Sequence, residues 1–489
     1  MKNILRFFAV GIIIIGVFAF TAKLVNFVSS EDIKPPAPLL PVPSAQQMAW
    51  HEMELNAFIH FTTNTFTGLE WGMGSEKESI FNPTELNAEQ WVKALKDAGF
   101  KQVIFTCKHH DGFCLWPSKF TEHSVKNSPY KGDVVKEVSN ACKKYAMRFG
   151  VYLSPWDRNS AGYGTPAYLK YYRNQLKELF TGYGPVREMW FDGANGGSGY
   201  YGGANETRNI NSLNYYDWPT TISMVAAIQP KVIFFSDAGP DLRWVGNESG
   251  LAGLTNWNTI NNDTLYAGKP GIDQILNTGA SDGKKWIPAE VDVSIRPGWF
   301  YHKNEDSLVK SPERLFAIYL TSVGRGSVLL LNVPPDQRGL FNDNDIKSLQ
   351  GFKKLIDTEF KVNLAKNARA KASSFRGNAE IYNALKLTDG KKETYWSTDD
   401  NTLLGNVEIY LAKKQLVKYI VLQEYIRLGQ RIKSFTVDAW QQGNWKEIAS
   451  GTTIGYKRII KISPVETDKI RVNIKDSKAC PMLSAMEVF

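Results

Sequence analysis

The 489 residues are 43% hydrophobic and 12% aromatic, with 58 Lys and Arg against 49 Asp and Glu for a net charge of +9. That apolar content excludes a disordered chain, and the length exceeds one ordinary domain, so two domains are the starting count. The cations are scattered among carboxylates with no arginine-rich run, which argues against nucleic acid as a partner. The four Cys form no disulfide framework, and the six His form no zinc motif.

Lys2 and Arg6 precede an uncharged apolar run from Phe7 to Phe20, followed by the small pair Thr21-Ala22. This is the layout of a secretory signal over 1–22, so an exported protein is expected, periplasmic or secreted, with no stable membrane contact once the signal is removed. The competing reading is an uncleaved anchor, because apolar character resumes from Leu24 to Val28. Five prolines in EDIKPPAPLLPVPS, 31–44, predict a stiff extended linker over 23–47, with the folded part beginning near Met48.

From 48 to 360 short β-rich runs alternate with amphipathic stretches, the order of βα units building a parallel sheet. Strands are expected at Ala57 to Phe61, Gln102 to Cys107, Phe149 to Ser154, Glu188 to Asp192, Val232 to Ser236, Ile287 to Val291 and Ser327 to Asn332. Helices are expected at Ala88 to Ala98, Val134 to Tyr145, Tyr168 to Leu179, Thr220 to Ile228, Pro312 to Thr321 and Asp345 to Phe360. A (β/α)8-like barrel needs one more strand, which we place within 253–275. Residues 361–489 read as short strands and turns, an antiparallel β-sandwich. The stretch LTDGKKETYWST, Leu387 to Thr398, resembles a turn region of discoidin-like sandwiches.

Five strands end in polar or aromatic residues, in FIHF, IFTCKHHDG, VYLSPWD, MWFDG and IPAEVD. In a βα barrel such ends converge on one mouth, where active sites form. Asp192 closes the apolar Met189-Trp190-Phe191 and is followed by Gly193, which makes it the candidate nucleophile; the bland alternative is a helix cap. A retaining glycosidase needs a second carboxyl, protonated, roughly 5 to 5.5 Å away. Glu248 and Glu290 are the two contenders for that acid, and spacing does not choose between them. His60, His109 and His110 have no ligand partners at metal spacing and suit neutral hydrogen bonding to hydroxyls. Glu70, Trp71, Trp116, Tyr152 and Trp299 offer a further carboxylate and aromatic faces for an apolar sugar face.

Taken in order, FIHFTTNTFTGLEWG, FTCKHHDGFCLWPS, YLSPWDRN, EMWFDGANG, RWVGNE and EVDVSIRPGWFYH resemble the α-L-fucosidases of glycoside hydrolase family 29 over about residues 48 to 360. The resemblance implies a fucosylated oligosaccharide or glycan substrate, no cofactor, and Asp192 as nucleophile. It places His60, Glu70, Trp71, His109, His110, Tyr152, Trp190 and Trp299 around the fucose. RWVGNE is similar to the branch acting on α-1,3/4 linkages of branched glycans. That implies Glu248 as acid/base; Arg243 is expected as a substrate contact, and Glu290 is expected either to bind substrate hydroxyls or to hold Arg296. The segment Gly196 to Trp218 is longer than the family pattern, on the leaving-group side. A carbohydrate-binding protein without catalysis, and a hydrolase of a related sugar such as a galactoside, are the other readings; oligomeric state is not legible.

Overall fold

Strands that are apolar on both faces can only sit between two layers, and the chain supplies such runs at regular intervals. In a computed structural model, residues 33–489 are described, and the expected signal at 1–22 lies outside them. The parallel strands are β1 Leu55–Ile59, β2 Gln102–Lys108, β3 Arg148–Leu153, β4 Val186–Trp190, β5 Ile233–Phe235, β6 Arg243–Trp244, β7 Ala289–Ser294 and β8 Val328–Asn332. Their order in the sheet is β5-β4-β3-β2-β1-β8-β7-β6. Between β5 and β6 the barrel closes through one bridge, Phe235 to Leu242, with the Leu242 N–H donating to Phe234 O at 3.0 Å. The eighth strand is therefore the two-residue β6, not a segment within 253–275. Residues 236–242 reverse the chain without a helix, so neither length nor periodicity marks it.

Alternation sends every second strand residue inward. Phe58, Ile104, Tyr152, Trp190, Phe235 and Leu330 fill the barrel interior. Helix α1 Ala45–His51 lies across the N-terminal end of the strands, and helices ring the barrel: α2 Ala88–Asp97, α3 Val134–Lys144, α4 Pro166–Gly182, α5 Trp218–Ile228, α6 Pro312–Thr321 and α7 Asp343–Glu359. Helix α1 begins before the expected start at Met48 because Ser44 and Gln47 cap it reciprocally. Nor is the described part of the linker a free spacer. Leu39 N–H donates to Leu428 O at 2.9 Å and Arg431 Nη2 to Ala37 O at 2.6 Å, so 33–43 straps the C-terminal domain.

That domain is an antiparallel sheet of β9 Arg369–Ala372, β10 Trp396–Ser397, β11 Gly405–Glu424, β12 Ile432–Gln441, β13 Asn444–Gly451, β14 Arg458–Ser477 and β15 Met482–Val488, the expected discoidin-like architecture. The long β11 and β14 bend at register shifts and enclose a core including Val407, Ile420, Phe435, Val472 and Leu483. Buried Gln430 joins the domains, accepting from Asn258 N–H at 2.8 Å and donating to Asn256 O at 3.0 Å. All four cysteines are free and buried, Cys107 and Cys114 among them.

Candidate active site

The C-terminal ends of the barrel strands open on a pocket of about 270 Å³. Asp192, Glu248, His60, Glu70, Trp71, His109, His110, Tyr152, Trp190 and Trp299 all line it. A wider cleft of about 930 Å³ lies at the opposite end of the barrel, among Arg148, Arg187 and Lys231, and holds none of these.

Asp192 stands two residues beyond the last residue of β4. Its Oδ2 accepts from the Tyr152 hydroxyl at 2.8 Å, and its Oδ1 accepts from Ala194 N–H at 2.7 Å. The next long helix starts only at Trp218, so the carboxylate faces the pocket instead of capping it. Gly193 is required here for space: a Cβ would collide with the Asp237 carboxylate. His110 Nε2 lies 3.8 Å from Asp192 Oδ2, too far for a hydrogen bond.

Glu248 comes from the loop after β6. Its Oε2 accepts from Trp299 Nε1 at 3.2 Å. The carboxyl is pushed above its ordinary value, first by partial burial against the wall and further by the negative charges of Asp192 and Glu70, while the Trp299 bond pulls the other way. One carboxylate fixed by two hydrogen-bond donors and another biased toward protonation is the division of labour that acid/base chemistry needs.

Burial depresses His60 and His110 to about 4 and His109 well below the usual range, so all three imidazoles are neutral at pH 7. His60 Nδ1 donates to Asn332 Oδ1 at 2.9 Å, and Asn332 is itself oriented by donating to Ser294 Oγ and Trp299 O. That leaves His60 Nε2 as a lone-pair acceptor. Aromatic faces supply the wall. Trp190 stacks on Phe235, centroids 4.1 Å apart, and on Tyr152 at 5.6 Å. Trp71 is 60% exposed at the rim and meets Trp156 edge-on at 5.8 Å.

Glu70 reaches the pocket wall, but its oxygens serve the loop after β7. Oε2 accepts from Trp299 N–H at 2.7 Å, and Oε1 lies 2.6 Å from His302 Nε2. Three predicted substrate contacts are elsewhere. Trp116 is 1% exposed and donates from Nε1 to Glu178 Oε2 at 2.9 Å in the outer core. Arg243 is fully buried, because alternation along β6 turns Trp244 to the pocket and Arg243 away; its guanidinium donates to the backbone oxygens of Leu276, Trp257 and Ile287. Glu290 is fully buried beneath Trp190: β7 runs on to Ser294, so Glu290 lies one layer down and Asp292 reaches the pocket in its place.

The sequence reading missed Phe58, Asp237, Trp244 and Asp292 in the lining. The signal was present: Asp237 follows the strand end FFS, and Asp292 closes AEVD. Burial pushes Asp237 up to about 7 and Asp292 well above the carboxylate range. Trp244 Nε1 donates to Asp292 Oδ1 at 2.8 Å.

Comparison with known proteins places this arrangement. Residues 39–358 match the family model described as Alpha-L-fucosidase, and 369–488 match the F5/8 type C domain. The chain is 41% identical over 474 residues to Alpha-L-fucosidase 1 of Arabidopsis thaliana, covering 94% of this chain and 90% of that protein. A crystal structure of a glycoside hydrolase 29 family member from an unknown rumen bacterium superposes with a TM-score of 0.83 at 42% identity, over 93% of this chain and 78% of that one. A Ruminococcus gnavus GH29 fucosidase in complex with fucose gives 0.84 at 34% identity, over 93% and 96%.

Proposed function

The chain belongs to the α-L-fucosidases of glycoside hydrolase family 29, and on that premise we propose that it removes terminal α-linked fucose by double displacement, Asp192 attacking and Glu248 acting as acid then base. It is a glycoside hydrolase. In the first step Asp192 Oδ bonds to the anomeric carbon as the glycosidic bond breaks, and Glu248 gives its proton to the leaving oxygen. In the second, Glu248 takes a proton from water, whose oxygen displaces Asp192, so the anomeric configuration is retained.

One observation carries this reading: Asp192 is fixed by Tyr152 and Ala194 on one side of a pocket that Glu248, raised toward its acid form, overlooks from another. A volume of about 270 Å³ suits one sugar ring, below the roughly 300–1,000 Å³ of sites for larger ligands, which favours exo action. The fucose named in the complex of the Ruminococcus gnavus enzyme supports the identity of that ring. In the Glu248→Ala variant, added azide is expected to restore turnover of an aryl α-L-fucoside and yield the α-fucosyl azide, with retained configuration; rescue confined to Glu290→Ala would exchange their roles.

For linkage we infer α-1,3/4 attachment in branched glycans. Glu248 stands on the exposed side of the pocket within RWVGNE. A digest that releases fucose from a Lewis-type trisaccharide well before 2'-fucosyllactose is the expected result; the reverse order rejects the inference. We further propose export, on the basic and apolar pattern of 1–22. Mass measurement of the mature protein is expected to lack that segment.

A further inference from the structure

The lower layer of a βα barrel is ordinarily filled by branched apolar side chains. Here it holds Asn56 of β1, Gln102 of β2, Glu188 of β4 and Glu290 of β7, with both glutamates fully buried. Each glutamate has one oxygen accounted for. Gln102 Nε2 donates to Glu188 Oε2 at 2.7 Å, and Trp190 Nε1 donates to Glu290 Oε2 at 3.1 Å. Each Oε1 is buried in this same layer with no donor among the described residues, and the two carboxyls act on each other's proton affinity. Two acceptor oxygens in contact make a hydrogen bond only if a proton lies between them.

We propose that Glu188 and Glu290 share a single proton across the barrel interior and act as a positioning pair, whose Glu290 Oε2 fixes the indole of Trp190. Trp190 walls the pocket and stacks on Tyr152, and Tyr152 is the donor to Asp192. The pair thus lies three contacts below the attacking carboxylate. Two ionised groups here would cost several kcal/mol each to desolvate with nothing between them. Two neutral groups would waste the anionic acceptor that makes the Trp190 bond strong. The charges that act on Glu188 from neighbouring elements are Arg148, which favours ionisation, and Asp241, which opposes it. Burial pushes Glu188 up to about 7 and Glu290 well above the carboxylate range, in keeping with one retained proton.

The role of the pair in turnover rests on the fucosidase reading; the shared proton does not, because it is read without substrate. Infrared difference spectra at pH 7 on protein labelled with ¹³C-glutamate would follow the protonated-carboxyl C=O band in Glu188→Gln, Glu290→Gln and the double variant. An amide donor replaces the shared proton in either single variant, so each is expected to delete one and the same band, and the double variant no more than that. No band lost in either variant, a band lost in only one of them, or two bands lost in the double variant would each overturn the proposal. For positioning, Glu290→Gln keeps both hydrogen bonds and is expected to hold kcat/KM on an aryl α-L-fucoside within about fivefold, whereas Glu290→Leu strands the Trp190 donor and should lower kcat at least 30-fold. Equal activity of the two overturns the positioning role. If Glu290→Leu does not fold, Trp190→Phe serves instead: it deletes the same donor, is expected to give the same loss in kcat, and wild-type kcat would overturn the role.

Discussion

Trp299 Nε1 donates to Glu248 Oε2 at 3.2 Å, so the same indole that walls the pocket also sets how readily the acid gives up its proton. A donor to a carboxylate stabilises the charged form. Removing it in Trp299→Phe is expected to raise Glu248 further, moving the alkaline limb of the kcat/KM profile to higher pH even as the rate falls. Glu70→Gln acts with the opposite sign. It removes a negative charge that raises Glu248, so the limb moves to lower pH. Profiles that shift together would show that neither residue acts through Glu248.

Tyr152 anchors Asp192 through one bond at 2.8 Å. Hydrogen bonds to charged groups contribute about 1.5–3 kcal/mol, so Tyr152→Phe is expected to lower kcat/KM on an aryl α-L-fucoside by about 10- to 150-fold. Circular dichroism checks that the fold persists. A change below threefold would remove the hydroxyl from the account.

Trp116 and Arg243 make the contrary prediction. Arg243 gives its guanidinium to three backbone oxygens and to Asn256 Oδ1, and Trp116 binds Glu178. Arg243→Met leaves buried acceptors unpaired and is expected to cost about 3 kcal/mol or more, and Trp116→Phe about 1–2 kcal/mol, read as lowered melting temperatures. KM for the folded fraction is expected to stay within twofold. A tenfold rise in KM with an unchanged melting temperature would return either residue to the site.

Strand ends were the legible part of this site, since a carboxylate, imidazole or indole after an apolar run is placed by the barrel itself. Asp192, His60 and Tyr152 were found that way. What failed was depth: placing the end of β7 at Val291 instead of Ser294 lifted Glu290 into the pocket and hid Asp292. β6 escaped because two residues carry no periodicity, and alternation across it decides between Arg243 and Trp244. Trp116 illustrates a limit of composition, since an indole suits a sugar face and a core equally. Glu70 needed the tertiary contact to show that it serves the loop carrying Trp299. In the C-terminal domain the turn-rich pattern announced antiparallel strands, but not that β11 and β14 each run for 20 residues.

The attacking role of Asp192 is tested most directly by trapping. Incubation with 2-deoxy-2-fluoro-α-L-fucosyl fluoride slows the second step more than the first, so the sugar accumulates on the nucleophile. Peptide mass spectrometry is predicted to find the fluorofucosyl adduct on the peptide carrying Met189 to Gly193, at Asp192. An adduct on Asp237, Glu248 or Asp292, or an inactivated enzyme whose Asp192 peptide is unmodified, would contradict it.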